Sequence, residues 1–151
     1  MGKGFSIKSD ISNTTIVIDQ AVRFRDNFHI MMGNNGNLII GNNCFFNNNC
    51  SITCLKEIEI GHDTQFGENV CLYDHNHHYS DSNKLISRQG YSTGSISIGN
   101  NCWIGSNVVI LKGVTIGDNA VIGAGCIIYK SVEANMVVIN QQSLLTKKIN
   151  E

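Results

Sequence analysis

At 151 residues the chain is long enough for one domain, 1–151, with a real core, and too short for two comfortable ones. A formal net charge of −1 and a charged fraction of 15% provide no basic surface for nucleic acid and no cationic face for anionic lipid. The opening Met1-Gly2-Lys3-Gly4-Phe5-Ser6-Ile7 lacks a continuous apolar stretch, and no later run reaches the ~18 residues of a membrane span, so a cytoplasmic protein acting on a small neutral or anionic ligand is expected.

Taken in order, the residues up to Thr15 are weakly patterned and read as an irregular cap or first coil. From there an aliphatic residue or Phe recurs at every sixth position. Weaker hexads begin at Ile18, Phe24 and Ile30, clearer ones at Ile40, Phe46 and Ile52, and again at Ile60, Phe66 and Leu72. After an interruption, Ile98, Ile104, Ile110, Ile116 and Ile122 open hexads without a slip. The phase jumps between Met31 and Ile39, between Thr53 and Glu59, and across the interruption. These jumps read as insertions at corners. The final segment, 140–151, carries Leu144, Leu145 and Ile149 and is expected to form a short helix or an arm covering a neighbour.

Each column of the hexad implies one environment. The first, worth ~1.5–3 kcal/mol per buried side chain, must line a continuous core. The fourth holds Asn43, Asn49, Asn69, Asn101, Asn107, Gly113, Asn119 and Gly125, residue types that tolerate positive φ, so a turn through the left-handed region is expected there. The fifth holds Cys44, Cys50, Val70, Cys102, Val108, Val114, Ala120 and Cys126, a second inward column of limited volume. Four of the six cysteines are thereby core fillers rather than redox groups; Cys54 and Cys71 lie off the column. Short strands turning every six residues close into a triangular solenoid of stacked coils.

The interruption runs from Tyr73 to Ser95. It begins Asp74-His75-Asn76-His77-His78-Tyr79-Ser80-Asp81 and holds three of the five histidines. A polar excursion of this length on a rigid frame points to function.

The hexads, above all Ser97-Ile98-Gly99-Asn100-Asn101-Cys102-Trp103-Ile104-Gly105 and Val114-Thr115-Ile116-Gly117-Asp118-Asn119, resemble the hexapeptide-repeat acyltransferases, over roughly Ile40 to Lys148. Within that family the resemblance is to the maltose, galactoside and polysaccharide O-acetyltransferases, and the loop is most like that of enzymes acting on capsular or surface polysaccharides. It implies an all-β, left-handed parallel β-helix with one protruding loop. It further implies acetyl-CoA as co-substrate without a metal, a carbohydrate acceptor, and a homotrimer with sites between subunits.

Residue by residue, the resemblance places His77 as general base, with His75 as the alternate and His78 third. Asn47 falls at an acceptor-binding position, and Asp74, in the same loop as the histidines, is expected to meet the acceptor too. Trp103 falls beside the histidine and the pantetheine arm, Ser106 near the thioester as a candidate oxyanion donor, Ala124 along the pantetheine, and Tyr129 with Lys130 at the adenine end. In place of a Gly-x-Pro turn with basic residues, this chain reads Asn140-Gln141-Gln142, leaving Lys147 and Lys148 for the CoA phosphate. Two other readings share the fold: a zinc enzyme like the γ-type carbonic anhydrases, whose three ligands would have to be drawn from His75, His77 and His78, and a small-molecule acetyltransferase.

Overall fold

In the computed structural model, which describes residues 1–9 and 13–149, the chain winds left-handed through three parallel sheets that form the faces of a triangular prism. The first face stacks Ser6–Ser9, His29–Met32, Ser51–Cys54, Cys71–Tyr73, Val109–Leu111 and Ile127–Ile128. The second stacks Thr15–Ile18, Asn37–Ile40, Glu57–Ile60, Ile96–Ile98 and Thr115–Ile116. The third stacks Arg23–Phe24, Phe45–Phe46, Gln65–Phe66, Trp103–Ile104, Val121–Ile122 and Val137–Val138. Register is continuous between coils. Leu72 pairs with Ile52 on one side and Ile110 on the other, so first-column residues stack directly on one another.

The columns behave as their chemistry requires. Every first-column residue from Ile40 to Ile122 is buried, and so is the whole fifth column. The N-terminal half of this core carries an aromatic stack, with Phe24 on Phe46 at 5.2 Å and Phe46 on Phe66 at 4.3 Å; the C-terminal half holds no buried aromatic residue among those described. All eight fourth-column residues have positive φ, from 52° at Asn101 to 78° at Gly113. Their side chains also bond to one another between coils: Asn27 to Asn49, Asn49 to Asn69 and Asn69 to Asn107, at 3.0–3.2 Å. A second such ladder runs from Asn101 through Asn119 to Asn135.

The six cysteines are free thiols. Cys44, Cys50 and Cys102 donate to the backbone carbonyls of Gly61, Gly67 and Gly117 in the next coil. Burial pushes the Cys50 thiol up to about 11, and burial together with the Asp74 carboxylate pushes Cys54 to about 12, so both stay protonated at neutral pH. That fits packing rather than nucleophilic chemistry.

The C-terminal segment departs from one of the two forms expected for it. Residues 140–148 form no helix; they run as an exposed arm with Leu144 and Leu145 more than four-fifths accessible, because apolar spacing alone does not supply a face for a helix to pack on. Asn150 and Glu151, in the expected segment, and Asp10, Ile11 and Ser12, in the expected first coil, lie outside the described residues. No helix among the described residues is long and apolar enough to cross a membrane.

Candidate active site

All three phase jumps fall at the same corner of the prism, between the first and second faces. The chain leaves the rhythm after Met32, after Cys54 and after Tyr73, and each time it rejoins on a second-face strand, at Asn37, Glu57 and Ile96. Successive insertions therefore stack on one another, and the longest projects as the excursion.

Its base is an antiparallel ribbon rather than an irregular loop. His75–His77 pairs with Tyr91–Thr93, with His75 opposite Thr93 and His77 opposite Tyr91. Beyond it the tip is bracketed by Gln89, whose amide accepts from the Asp81 N–H and donates to the carbonyls of Asp81 and Lys84. Asp81 also pairs with Lys84 at 2.9 Å. The base is tied to the next coil through Gly94, which donates to the Asp74 carbonyl and accepts from the Gly113 N–H.

Asp74 is where the expectation fails. Placed beside the acceptor by its position in the histidine loop, it is instead fully buried, and its carboxylate accepts the N–H groups of Leu55, Lys56 and Glu57 at 2.7–3.0 Å. The preceding corner wraps three amides around this one anion, which leaves no room for a sugar hydroxyl. Asp74 fixes the ribbon to the prism.

The two candidate bases sit on one side of the ribbon, since positions two apart on a strand share a face. Both rest against Tyr91, whose ring centroid is 5.4 Å from that of His75 and 4.5 Å from that of His77. Their surroundings differ. His77 is exposed on the outer part of the ribbon. His75 is only 16% exposed, and its Nδ1 is buried 3.5 Å from Asp74 Oδ1, beyond hydrogen-bond alignment and with no other partner. His78, also exposed, donates its backbone N–H to Gly90. Among the described residues, no three His, Cys, Asp or Glu side chains converge as metal ligands.

Under the ribbon lies a cavity of about 630 Å³ lined by Met31, Thr53, Leu55, His75, Tyr91 and Thr93 among others. Apart from His75, these residues were not singled out from the sequence. The signal that could have found them is the recurrence of the phase jumps one coil apart, which puts the three insertions side by side.

The remaining candidates lie elsewhere. Trp103 is 60% exposed on the third face, between Gln65 and Val121. Ser106 and Ala124 stack on successive coils at the corner between the third and first faces, where the backbone is so close that a Cβ on Gly105 would sit 2.7 Å from the Ala124 nitrogen. Ser106 Oγ accepts from the Glu68 N–H at 3.1 Å, so its hydroxyl proton stays available. Asn47, two coils away at the same corner, is half-buried and uses its side-chain oxygen on the Asn48 N–H. Tyr129 and Lys130 are exposed at the corner between the first and second faces, the ammonium 5.7 Å from the ring centroid. Lys147 is exposed on the arm.

The candidates thus form two groups on opposite sides of one chain. In a triangular section, the corner between the first and second faces is opposite the third face. The histidine ribbon cannot meet Trp103 within a single copy.

Comparison with known proteins bears on this arrangement. The family described as bacterial transferase hexapeptide (six repeats) matches residues 95–130. The putative lipopolysaccharide biosynthesis O-acetyl transferase WbbJ of Escherichia coli (strain K12) is 27% identical over 145 residues, covering 87% of this chain and 74% of that protein. A maltose O-acetyltransferase from Clostridium difficile 630 superposes with a TM-score of 0.64 at 30% identity, over 92% of this chain and 72% of its own. A galactoside acetyltransferase in complex with coenzyme A superposes with a TM-score of 0.59 at 32% identity, over 87% of this chain and 58% of its own.

Proposed function

Because this chain belongs to the hexapeptide-repeat acyltransferases, in the branch of the maltose, galactoside and polysaccharide O-acetyltransferases, we propose that it moves an acetyl group from acetyl-CoA to a hydroxyl of a sugar or polysaccharide precursor. One observation carries the reading. The ribbon histidines stand at one corner, and Trp103, Ser106 and Ala124 stand on and beside the opposite face. A homotrimer brings the corner of one copy against the third face of the next and so completes three equivalent sites. A cytoplasmic enzyme with ready access to acetyl-CoA fits this reading.

In such a site His77, on the outer part of the ribbon where a second copy reaches it, removes the proton of the acceptor hydroxyl as that oxygen attacks the thioester carbonyl. The C–S bond breaks, and the proton held by His77 passes to the departing thiolate. Ser106, with its hydroxyl proton unspent, donates to the carbonyl oxygen as negative charge develops there. Trp103 supplies an aromatic wall that keeps water from the thioester. Ala124, small and exposed, leaves room for the pantetheine chain, Tyr129 and Lys130 suit the adenine end, and Lys147, on the exposed arm, meets phosphate. Asn47, its amide nitrogen free of partners within the described residues, donates to the acceptor.

The test is release of free CoA from acetyl-CoA by the purified protein across a panel of sugars. His77→Ala should lower turnover by about 10²–10⁴-fold, the usual worth of a general base. His75→Ala should leave more activity than His77→Ala; the reverse order moves the base to His75. Release with no sugar class, from protein that still binds acetyl-CoA, defeats the proposal.

A further inference from the structure

The cavity beneath the ribbon has a chemistry specific enough to name what it receives. Its volume of about 630 Å³ lies within the ~300–1,000 Å³ typical of small-ligand sites. Two accessible apolar side chains meet on one side: Met31, from the first-face strand His29–Met32, and Leu55, from the second insertion, with Asn34 of the first insertion beside them. Leu55 is held there by close packing, since a Cβ on Gly33 would fall 2.7 Å from its Cγ. The opposite wall is the ribbon, with His75, Tyr91 and Thr93, and Thr53 contributes a hydroxyl from the first face. The lining contains no available carboxylate. Asp74, directly behind His75, has its oxygens committed to three backbone amides.

A sugar in this space finds both polar partners and the hydrocarbon of Met31 and Leu55. A hydroxymethyl group seated on Met31 and Leu55 would lose water against two side chains that offer it no hydrogen bond, whereas a methyl group there would be desolvated favourably. We propose that the acceptor presents a methyl group to these two side chains, carried either at C6 of a 6-deoxyhexose or on an N-acetyl substituent. The proposal rests on the acetyl-transfer reading for the identity of the acceptor as a sugar. Leu55 is then a specificity-determining residue, and Thr53, Thr93 and the ring of Tyr91 orient the sugar so that its reacting hydroxyl lies towards the histidines.

Matched methyl glycosides test this: 6-deoxyhexosides against the corresponding hexosides in the galacto, gluco and manno series, and N-acetylhexosaminides against the same hexosides. Binding is followed by saturation-transfer NMR without acetyl-CoA, and transfer by CoA release. In at least one series the methyl-bearing member should be favoured by about 10- to 100-fold, the range over which an apolar pocket discriminates, with strongest saturation on its methyl protons. The near-isosteric Leu55→Asn should abolish that preference while folding is checked by denaturation. Whether the favoured member is the deoxy or the N-acetyl sugar identifies the source of the methyl group. Equal or better binding of the hexosides in every series, no binding by any methyl-bearing sugar, or a preference that survives Leu55→Asn overturns the inference. Binding with the predicted preference but no CoA release would leave this inference standing and defeat the acetyl-transfer reading, so the two failures are distinguishable.

Discussion

Between Ile98 and Ile128 the coils repeat the same devices: an inward aliphatic residue, a left-handed turn, a small inward residue, and backbone bonds to the coils on either side. From Asp74 to Gly94 no inward column recurs, and backbone bonds to neighbouring coils are confined to the two ends, at Asp74 and Gly94. The excursion has no buried apolar residue of its own, and it is held to the prism chiefly by a single buried carboxylate with three amide donors. In the solenoid, stability is divided into many similar contributions, so no one residue decides it. In the ribbon it is concentrated at Asp74, which lets a polar segment keep its outer face free for ligands while its base stays fixed.

The sharpest way to break this contrast is Asp74→Ala. It strands the N–H groups of Leu55, Lys56 and Glu57 and should cost about 3–5 kcal/mol, as when a buried charged partner is removed from a hydrogen-bonded set. Chemical denaturation should report the loss, with fast amide exchange confined at first to residues 55–57 and the ribbon. Acetyl transfer should fall as well, because the histidines lose their footing. An unchanged denaturation midpoint would return Asp74 to the role of acceptor ligand.

A second effect separates the regions by pH. The Cys50 and Cys54 thiols, ordinarily titrating near 9.0, are raised to about 11 and about 12 in the folded chain. Below pH 9 both folded and unfolded chains keep these protons. From about pH 9 the unfolded chain releases them while the folded chain keeps the Cys50 proton to about pH 11 and the Cys54 proton to about pH 12, so stability should decline with rising pH across that window. The denaturation midpoint should hold steady to about pH 9 and then fall. Cys54 responds to Asp74 and Cys50 does not, so in Asp74→Ala alkylation at pH 8 should speed up at Cys54 and not at Cys50.

How much of this could be read from the residues alone follows from the same contrast. Ile104, Asn107 and Val108 each sit in a column whose members share one environment, so composition by column is enough to assign them core, turn and core again. The asparagine ladders were harder to foresee: Asn69 is bonded to Asn107, 38 residues on, and that pairing depends on how the excursion is looped out. Asp74 was misread because an acid among histidines and asparagines looks like a ligand-facing group. Its burial is imposed by a corner 17–19 residues earlier that turns its amides inwards. Met31 and Leu55 were given no role in the site, since a cavity lined jointly by a strand residue and a stacked insertion has no local pattern. The segment at Leu144 and Leu145 was readable as apolar, with a helix and an arm both open, and it runs as an arm.

Within the solenoid the contribution of a single turn should be small and separable. Asn69→Ala forces an alanine to φ near 56° and removes side-chain bonds to Asn49 and Asn107, for a cost of about 1–2 kcal/mol. Asn69→Gly keeps the backbone at ease and loses only the bonds, so the difference between the two variants measures the conformational share. If both cost as much as Asp74→Ala, stability is not divided along the solenoid as proposed.

The smallest effect runs in the opposite direction. Ala21 occupies the fourth position of the hexad opened by Ile18, with φ at 59°, a conformation that alanine adopts at a cost and asparagine tolerates. It is exposed, so a larger side chain meets no steric barrier there. One coil on, Asn43 occupies the same column and donates its amide towards Asp63, just as Asn49 does towards Asn69. Ala21→Asn should therefore relieve the turn and extend the ladder by one rung, in the manner of Asn27 and Asn49, raising stability by about 0.5–1.5 kcal/mol. Ala21→Gly relieves the turn alone while adding freedom to the unfolded chain, so it should gain less. A gain for asparagine that exceeds the gain for glycine gives the rung its own value; equal gains would mean that the ladder aligns the coils without stabilising them.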